Sequence, residues 1–243
     1  MTKQYGLIGQ SLKHSFSKDY FTEFFAKEGI AASYKNFELQ RIEDFIGLKK
    51  QEILGLNVTL PYKESILPFL DQLSPEAQEI GAVNCICFSE GKTIGHNTDA
   101  YGFKESLRPI LRTEHRKALI LGKGGAAKAV AYVLRSLGVE YRYVSRDPQG
   151  IDLAYGDLND KALSFFPFLI NTSPVGMFPD VEACPDIPYE HLSSKNFLYD
   201  LIYNPEETLF LNCGKERGAL VMNGHKMLIY QAERSWELWN QIK

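Results

Sequence analysis

Apolar and polar residues follow two rhythms along this chain, and the changes of rhythm locate its elements. The apolar run over 5–8 closes at Gly9 and predicts a buried strand. Over 19–27 the rings of Tyr20, Phe21, Phe24 and Phe25 recur at helical spacing, and Gly29 supplies the stop. Strand pattern returns over 32–39, a short amphipathic helix over 41–50, and strand again over 54–59. Pro61 then opens another helix, since proline suits a first turn. Residues 82–88 and 93–96, joined through Glu90-Gly91, predict a hairpin that turns at the glycine.

Further on, 117–121 predicts a strand and 124–137 a helix. Ala126, Ala129, Val130, Val133, Leu134 and Leu137 form the apolar stripe of that helix. Segments 140–145, 168–171 and 196–201 are strand-like. A closing helix over 226–242 repeats Leu228, Ala232, Trp236 and Trp239 on one face. Strands alternating with helices imply parallel pairing through crossovers, hence an α/β fold.

Composition adjusts this picture little. The chain has 243 residues, suited to two domains of ordinary size. A net charge of -3, with no long Lys/Arg run, argues against a nucleic-acid partner. No apolar stretch approaches the roughly 20 residues of a membrane helix, and the first residues lack a signal-peptide core, so a cytoplasmic location is expected. The four cysteines show no zinc-type spacing and no CxxC pair, and the five histidines are scattered. Reduced thiols and no metal site are expected.

Candidate chemistry begins at LGKGGAAKA (121–129). Gly122 follows a strand and Gly124-Gly125 opens a helix, with Ala126 next. Glycine lets the backbone turn sharply and approach a pyrophosphate, and the helix terminus offers unpaired N–H groups. In this setting the turn predicts a dinucleotide site in a Rossmann-like domain over 99–224. Residues 1–98, completed by the last helix over 225–243, then form a discontinuous α/β substrate domain. NAD enzymes usually carry an acid after the second strand. Here Ser145-Arg146-Asp147 stands there, and the Arg146 guanidinium suits a 2′-phosphate, favouring NADP with NAD as the alternative. Asp147 either repels a phosphate or pairs with Arg146.

Proton-handling groups lie in NVTLPYK (57–63) and GHNTDAYGF (95–103). Lys63 falls in the first turn of the Pro61 helix, whose positive end disfavours a further cation and so favours proton release. Asp99 is expected to hold Lys63 through a charge-assisted hydrogen bond. Taken singly, Lys63 is a solvated lysine and Asp99 a helix N-cap ahead of Ala100. Ser15 and Ser17 precede a helix and serve either to cap it or to hold a substrate carboxylate. Thr59, Asn84 and Gln231 offer hydroxyl and amide contacts suited to a polyol.

Together HSFS (14–17), NVTLPYK, GAVNCI (81–86), GHNTDAYGF, GKGGAAKA, NTSPVGM (171–177), DLIYNP (200–205) and NGHKMLIYQA (223–232) occur in the order of the shikimate dehydrogenase family, which the chain resembles over nearly its whole length. The resemblance implies NADPH-dependent reduction of 3-dehydroshikimate to shikimate in chorismate and aromatic amino-acid biosynthesis. It implies Lys63 and Asp99 as catalytic dyad, and Ser15, Ser17, Thr59, Asn84, Tyr203 and Gln231 as substrate ligands. It implies Gly122, Gly124, Gly125, Ala126, Arg146, Leu201 and Gly224 as cofactor contacts, in a monomer or homodimer. The chain departs from the family pattern at Lys123, where alanine is usual, and at Ser145-Arg146-Asp147, where Asn-Arg-Thr is usual. The segment 146–170 is also short, so a helix-strand element there is expected to be trimmed. Alternative readings are a quinate/shikimate dehydrogenase preferring NAD and a non-catalytic metabolite-binding homologue.

Overall fold

The computed structural model describes residues 2–12, 16–49 and 51–241. The chain divides into two compact units, 1–98 with 231–243, and 99–230.

The first unit holds strands β1 (Lys3–Gly9), β2 (Ala32–Glu38), β3 (Ile53–Val58), β4 (Gln72–Leu73), β5 (Cys85–Ser89) and β6 (Lys92–His96). Its helices are α1 (Phe16–Lys27), α2 (Phe45–Leu48), α3 (Tyr62–Ser65) and α4 (Pro75–Ile80). The sheet order is β2-β1-β3-β5-β6-β4. β1 pairs with β2 and β3 in parallel, whereas β5 runs antiparallel to both β3 and β6, so the sheet is mixed. The expected hairpin is present, with Glu90 and Gly91 both at positive φ, as a tight right-twisted connection requires.

Alternation along the strands sorts two cores. Ile8, Leu56, Val58 and Ile86 join one with Phe45, Tyr62 and Ile66. Tyr5, Leu7, Cys85 and Cys87 join the other, with Phe21, Phe25 and Tyr34. Trp239 of the C-terminal helix belongs to this second core. It stacks on Tyr5 with ring centroids 4.9 Å apart, and its Nε1–H donates to the Ile86 carbonyl at 3.1 Å. Gly55 is required there, because a side chain would collide with the Trp239 indole.

The second unit contains α5 (Thr98–Leu107), β7 (Lys117–Leu121), α6 (Gly125–Ser136), β8 (Glu140–Ser145), β9 (Leu153–Ala154), α7 (Asp160–Phe165), β10 (Phe168–Asn171), β11 (Phe197–Asp200), α8 (Leu209–Glu216), β12 (Leu220–Met222) and the start of α9 (His225–Gln241). The sheet order β12-β11-β10-β7-β8-β9 is parallel throughout, with the continuous burial that parallel strands show. The short segment after β8 keeps its strand and helix in reduced form, as two and six residues.

Three local expectations change. The pattern over 41–50 resolves into a 3-10 turn followed by the four-residue α2. The helix after Pro61 is a single turn, ended by a second turn over Leu67–Phe69. β4 and α4 lay unread between motifs, although Ser74 caps α4 by accepting the Ala77 N–H and Pro75 follows it. Among the described residues no helix is long and apolar enough to cross a membrane. The four cysteines are free, Cys85 and Cys87 buried.

Candidate functional site

In the first unit the functional candidates gather around a buried polar chain. Asn57 stands at the end of β3, on the face that meets the C-terminal helix. Its Oδ1 accepts the Tyr34 hydroxyl at 2.8 Å, and its Nδ2 donates to Ser235 Oγ at 2.9 Å. Ser17 bonds to the same Tyr34 hydroxyl. Complete burial holds that phenol well above its ordinary titration range. Ser235 Oγ donates to the Gln231 carbonyl at 2.8 Å and lies 3.1 Å from Thr98 Oγ1.

Asn84 closes this network. Its Nδ2 reaches Thr98 Oγ1 at 3.0 Å and Gln231 Oε1 at 3.3 Å, while its Oδ1 accepts the Thr98 N–H at 2.6 Å. Two predicted ligands 147 positions apart are thus in direct contact. Tyr34, Asn57, Thr98 and Ser235 were not singled out from sequence. The available signal was a polar side chain inside an apolar strand or on the apolar stripe of a helix, which must be paired when buried.

Thr59 is half-buried just beyond β3, its N–H bonded to the Ile8 carbonyl at 2.8 Å. Lys63 is half-buried in α3, and its carbonyl accepts the Val83 N–H at 2.7 Å, which ties α3 to the residue before Asn84, just ahead of β5. The expected helix-terminus field at Lys63 needs correction, since one turn aligns too few peptide dipoles to build it. Ser17 lies inside the first turn of α1 instead of capping it, because the helix begins at Phe16. Ser15 falls outside the described residues.

The second unit starts at Asp99, and because α5 begins at Thr98, Asp99 sits buried within the first turn and is not the N-cap expected before Ala100. The glycine turn has the required geometry. Gly122 adopts φ +114°, with Thr172 Oγ1 2.9 Å from where a Cβ would stand. Gly124 caps α6 with no side-chain bond to the helix, the first turn carries no acid, and the space beside Gly124 is open. Gly125 and Ala126 lead the helix, where first-turn N–H groups have no intrahelical acceptor. This is a fit for a pyrophosphate.

At the end of the next strand, Ser145 Oγ is buried without a hydrogen-bond partner. Arg146 is exposed and makes no ion pair among the described residues. Asp147 does not pair with it, since its Oδ1 accepts from Gln149 Nε2 at 3.3 Å. The group can hold a phosphorylated ribose. Lys123 is engaged with Asp152 at 2.6 Å.

Leu201 and Gly224 are neighbours. Gly224 N–H donates to the Ile202 carbonyl at 3.0 Å, and any Cβ there would strike the Leu201 carbonyl. Tyr203 is half-buried two residues on. Asp200 anchors this loop. Its carboxylate accepts from Asn171 Nδ2 at 3.0 Å, the Ile202 N–H at 3.0 Å and the Thr208 hydroxyl at 2.7 Å, while burial pushes it up to about 6. No group of three or more metal-binding side chains occurs among the described residues.

Comparison with known proteins bears on this arrangement. Residues 7–86 match the shikimate dehydrogenase substrate binding domain. The shikimate dehydrogenase (NADP(+)) of Carboxydothermus hydrogenoformans is 39% identical, over 99% of this chain and 92% of that protein. The crystal structure of shikimate dehydrogenase from Aquifex aeolicus superposes with a TM-score of 0.89 at 32% identity, covering 99% of this chain and 93% of its own. Shikimate 5-dehydrogenase from Thermus thermophilus, solved with NADP(H) and shikimate, gives 0.87 at 33% identity, covering 98% and 94%. A chain matched end to end at this identity, with the two α/β sheets described above, belongs to the shikimate dehydrogenase family.

Proposed function

We propose that this protein is an NADP-dependent shikimate dehydrogenase. It interconverts shikimate and 3-dehydroshikimate in chorismate and aromatic amino-acid biosynthesis. The observation that carries the reading is an end-to-end relationship to enzymes of that activity in a chain that retains both Lys63 and Asp99.

The nicotinamide cofactor would supply the hydride chemistry at the substrate carbinol carbon, in either direction. Lys63 takes the hydroxyl proton at its Nζ as hydride departs, and gives it back in the reverse direction. Asp99 orients that ammonium. Asn84, Thr59 and Gln231 hold the ring hydroxyls, supported by the amide contact between Asn84 and Gln231. Ser15 and Ser17 hold the carboxylate, and Tyr203 is a further substrate ligand. Gly122, Gly124, Gly125 and Ala126 receive the pyrophosphate, Arg146 the 2′-phosphate, and Leu201 with Gly224 the nicotinamide side. The first unit serves as substrate domain and the second as cofactor domain, in a monomer or homodimer.

The test is shikimate and quinate oxidation followed at 340 nm with NADP+ and NAD+ in parallel. Shikimate with NADP+ is expected to be the best pair. Preference for NAD+ would move the assignment to the quinate/shikimate type, and shikimate binding without turnover would leave a metabolite-binding homologue.

A further inference from the structure

We propose that Lys123, fixed by Asp152, is a second cation for the 2′-phosphate of the cofactor and a determinant of NADP preference in this chain. The inference rests on the cofactor assignment above and concerns a residue outside the glycine contacts.

The topology brings Lys123 to the right corner. β7 and β8 are parallel neighbours, with Leu121 opposite Val144, and the Gly122 N–H donates to the Val144 carbonyl at 2.9 Å. Residues 122–123 and 145–146 therefore leave the same edge of the sheet side by side. β9 returns on the far flank of β8, with Ala154 opposite Ser145. Asp152 immediately precedes β9, so the bond from Lys123 Nζ to Asp152 Oδ2 at 2.6 Å carries the ammonium across the end of β8. It arrives on the loop whose first residue is Arg146. In an open parallel sheet that loop reads the 2′ position of the adenine ribose.

Two observations at this corner support the proposal. Ser145 Oγ is buried with no partner, an arrangement that costs stability unless a ligand completes it. Arg146 stands exposed without an ion pair among the described residues. Asp152 is the better held half of the Lys123 pair, its side chain 11% exposed against 35% for the lysine. It also accepts the Gln149 N–H at 3.3 Å, and the Asp152 N–H donates to the Gln149 carbonyl at 3.1 Å. The carboxylate is thus a fixed post, and the ammonium keeps two of its three donors for a phosphate. Asp147, the other acid of the loop, is occupied by the Gln149 amide. Where the family pattern offers a threonine beside the arginine, this chain offers the lysine of the glycine turn.

Binding alone tests this, with no turnover required. Adenosine 2′,5′-bisphosphate and adenosine 5′-monophosphate are titrated calorimetrically into the full chain and its Lys123→Met, Lys123→Arg and Asp152→Asn variants. Lys123→Met is expected to weaken the bisphosphate about tenfold and to leave the monophosphate within twofold, as loss of one charge-assisted contact implies. Lys123→Arg should restore most of the affinity. Asp152→Asn should weaken the bisphosphate less than Lys123→Met does, because the ammonium remains although its post is weakened. Equal weakening of both ligands by Lys123→Met, or a loss in Asp152→Asn as large as in Lys123→Met, would assign the pair to loop rigidity and overturn the proposal. Wild type with no preference for the bisphosphate would instead overturn the NADP assignment itself, and the proposal with it.

Discussion

Asn84 and Thr98 grip each other twice, the Thr98 N–H donating to Asn84 Oδ1 at 2.6 Å and Asn84 Nδ2 reaching Thr98 Oγ1 at 3.0 Å. This exchange fixes which end of the amide faces which neighbour, and it leaves the second amide hydrogen for Gln231. Thr98→Val keeps the shape and removes the hydroxyl, leaving buried partners on Asn84 and Ser235 unmet. We expect a loss of about 1–3 kcal/mol in urea unfolding. The Michaelis constant for shikimate should rise more than kcat falls. A variant with wild-type stability and kinetics would remove Thr98 from the binding network.

Gly224 is fixed by its neighbour, because a methyl group would meet the Leu201 carbonyl. Gly224→Ala is expected to displace the loop after β11 and to raise the NADP+ dissociation constant at least tenfold, with a stability loss of about 2 kcal/mol. Fluorescence titration with NADPH and a thermal melt check both. Gly124→Ala is the contrasting case. Its Cβ meets nothing in the protein, so the fold should hold while cofactor affinity falls, the added methyl standing where the pyrophosphate approaches.

Much of this was legible in the sequence, for identifiable reasons. β7 is found at its expected bounds because a parallel strand buried on both faces is a continuous apolar run, ended here by Gly122, whereas β8 is buried only at its Val144-Ser145 end and is bounded by Gly138 before it and Arg146 after it. The glycine turn was legible because only glycine tolerates the φ at 122. The link between Asn84 and Gln231 was not, since contacts across 147 positions leave no local periodicity. α4 was missed because six residues give too short a helical period, and the helix field expected at Lys63 failed because Leu67–Phe69 turns the chain before a second α-turn forms. The Lys123–Asp152 pair depends on β9 returning beside β8, a feature of two residues.

Asp200 gives a pH signature. Burial, opposed by hydrogen bonds from Thr208, Ile202 and Asn171, pushes its carboxyl up to about 6 from an ordinary 3.8, and the nearby titratable groups are Tyr189 and Tyr199. Between those values the folded protein binds a proton that the unfolded chain releases, so this group's contribution to stability rises as pH falls through 6 and is complete below about 4. The span is on the order of 3 kcal/mol. Asp200→Asn removes the titration. The stability of wild type relative to Asp200→Asn should therefore increase between pH 7.5 and 4.5, and a constant difference would show that Asp200 titrates normally.

Trp239 ties the C-terminal helix to the first sheet through Tyr5 and the Ile86 carbonyl, and to α1 through Phe21. Trp239→Ala should cost about 3–5 kcal/mol in chemical denaturation. Trp239→Phe forfeits chiefly the indole hydrogen bond and should cost about 1 kcal/mol. Equal losses in the two variants would mean that the ring's bulk contributes little.

The most direct measurement concerns Lys63. Purified wild type and Lys63→Ala are compared in shikimate-dependent NADP+ reduction, with shikimate affinity measured separately by calorimetry. Turnover is expected to fall roughly 10²–10⁴-fold while the dissociation constant changes less than about fivefold, as for a group acting in proton transfer. Turnover within tenfold of wild type, or a loss that lies wholly in shikimate affinity, would contradict the assignment of Lys63 as the proton-transfer residue.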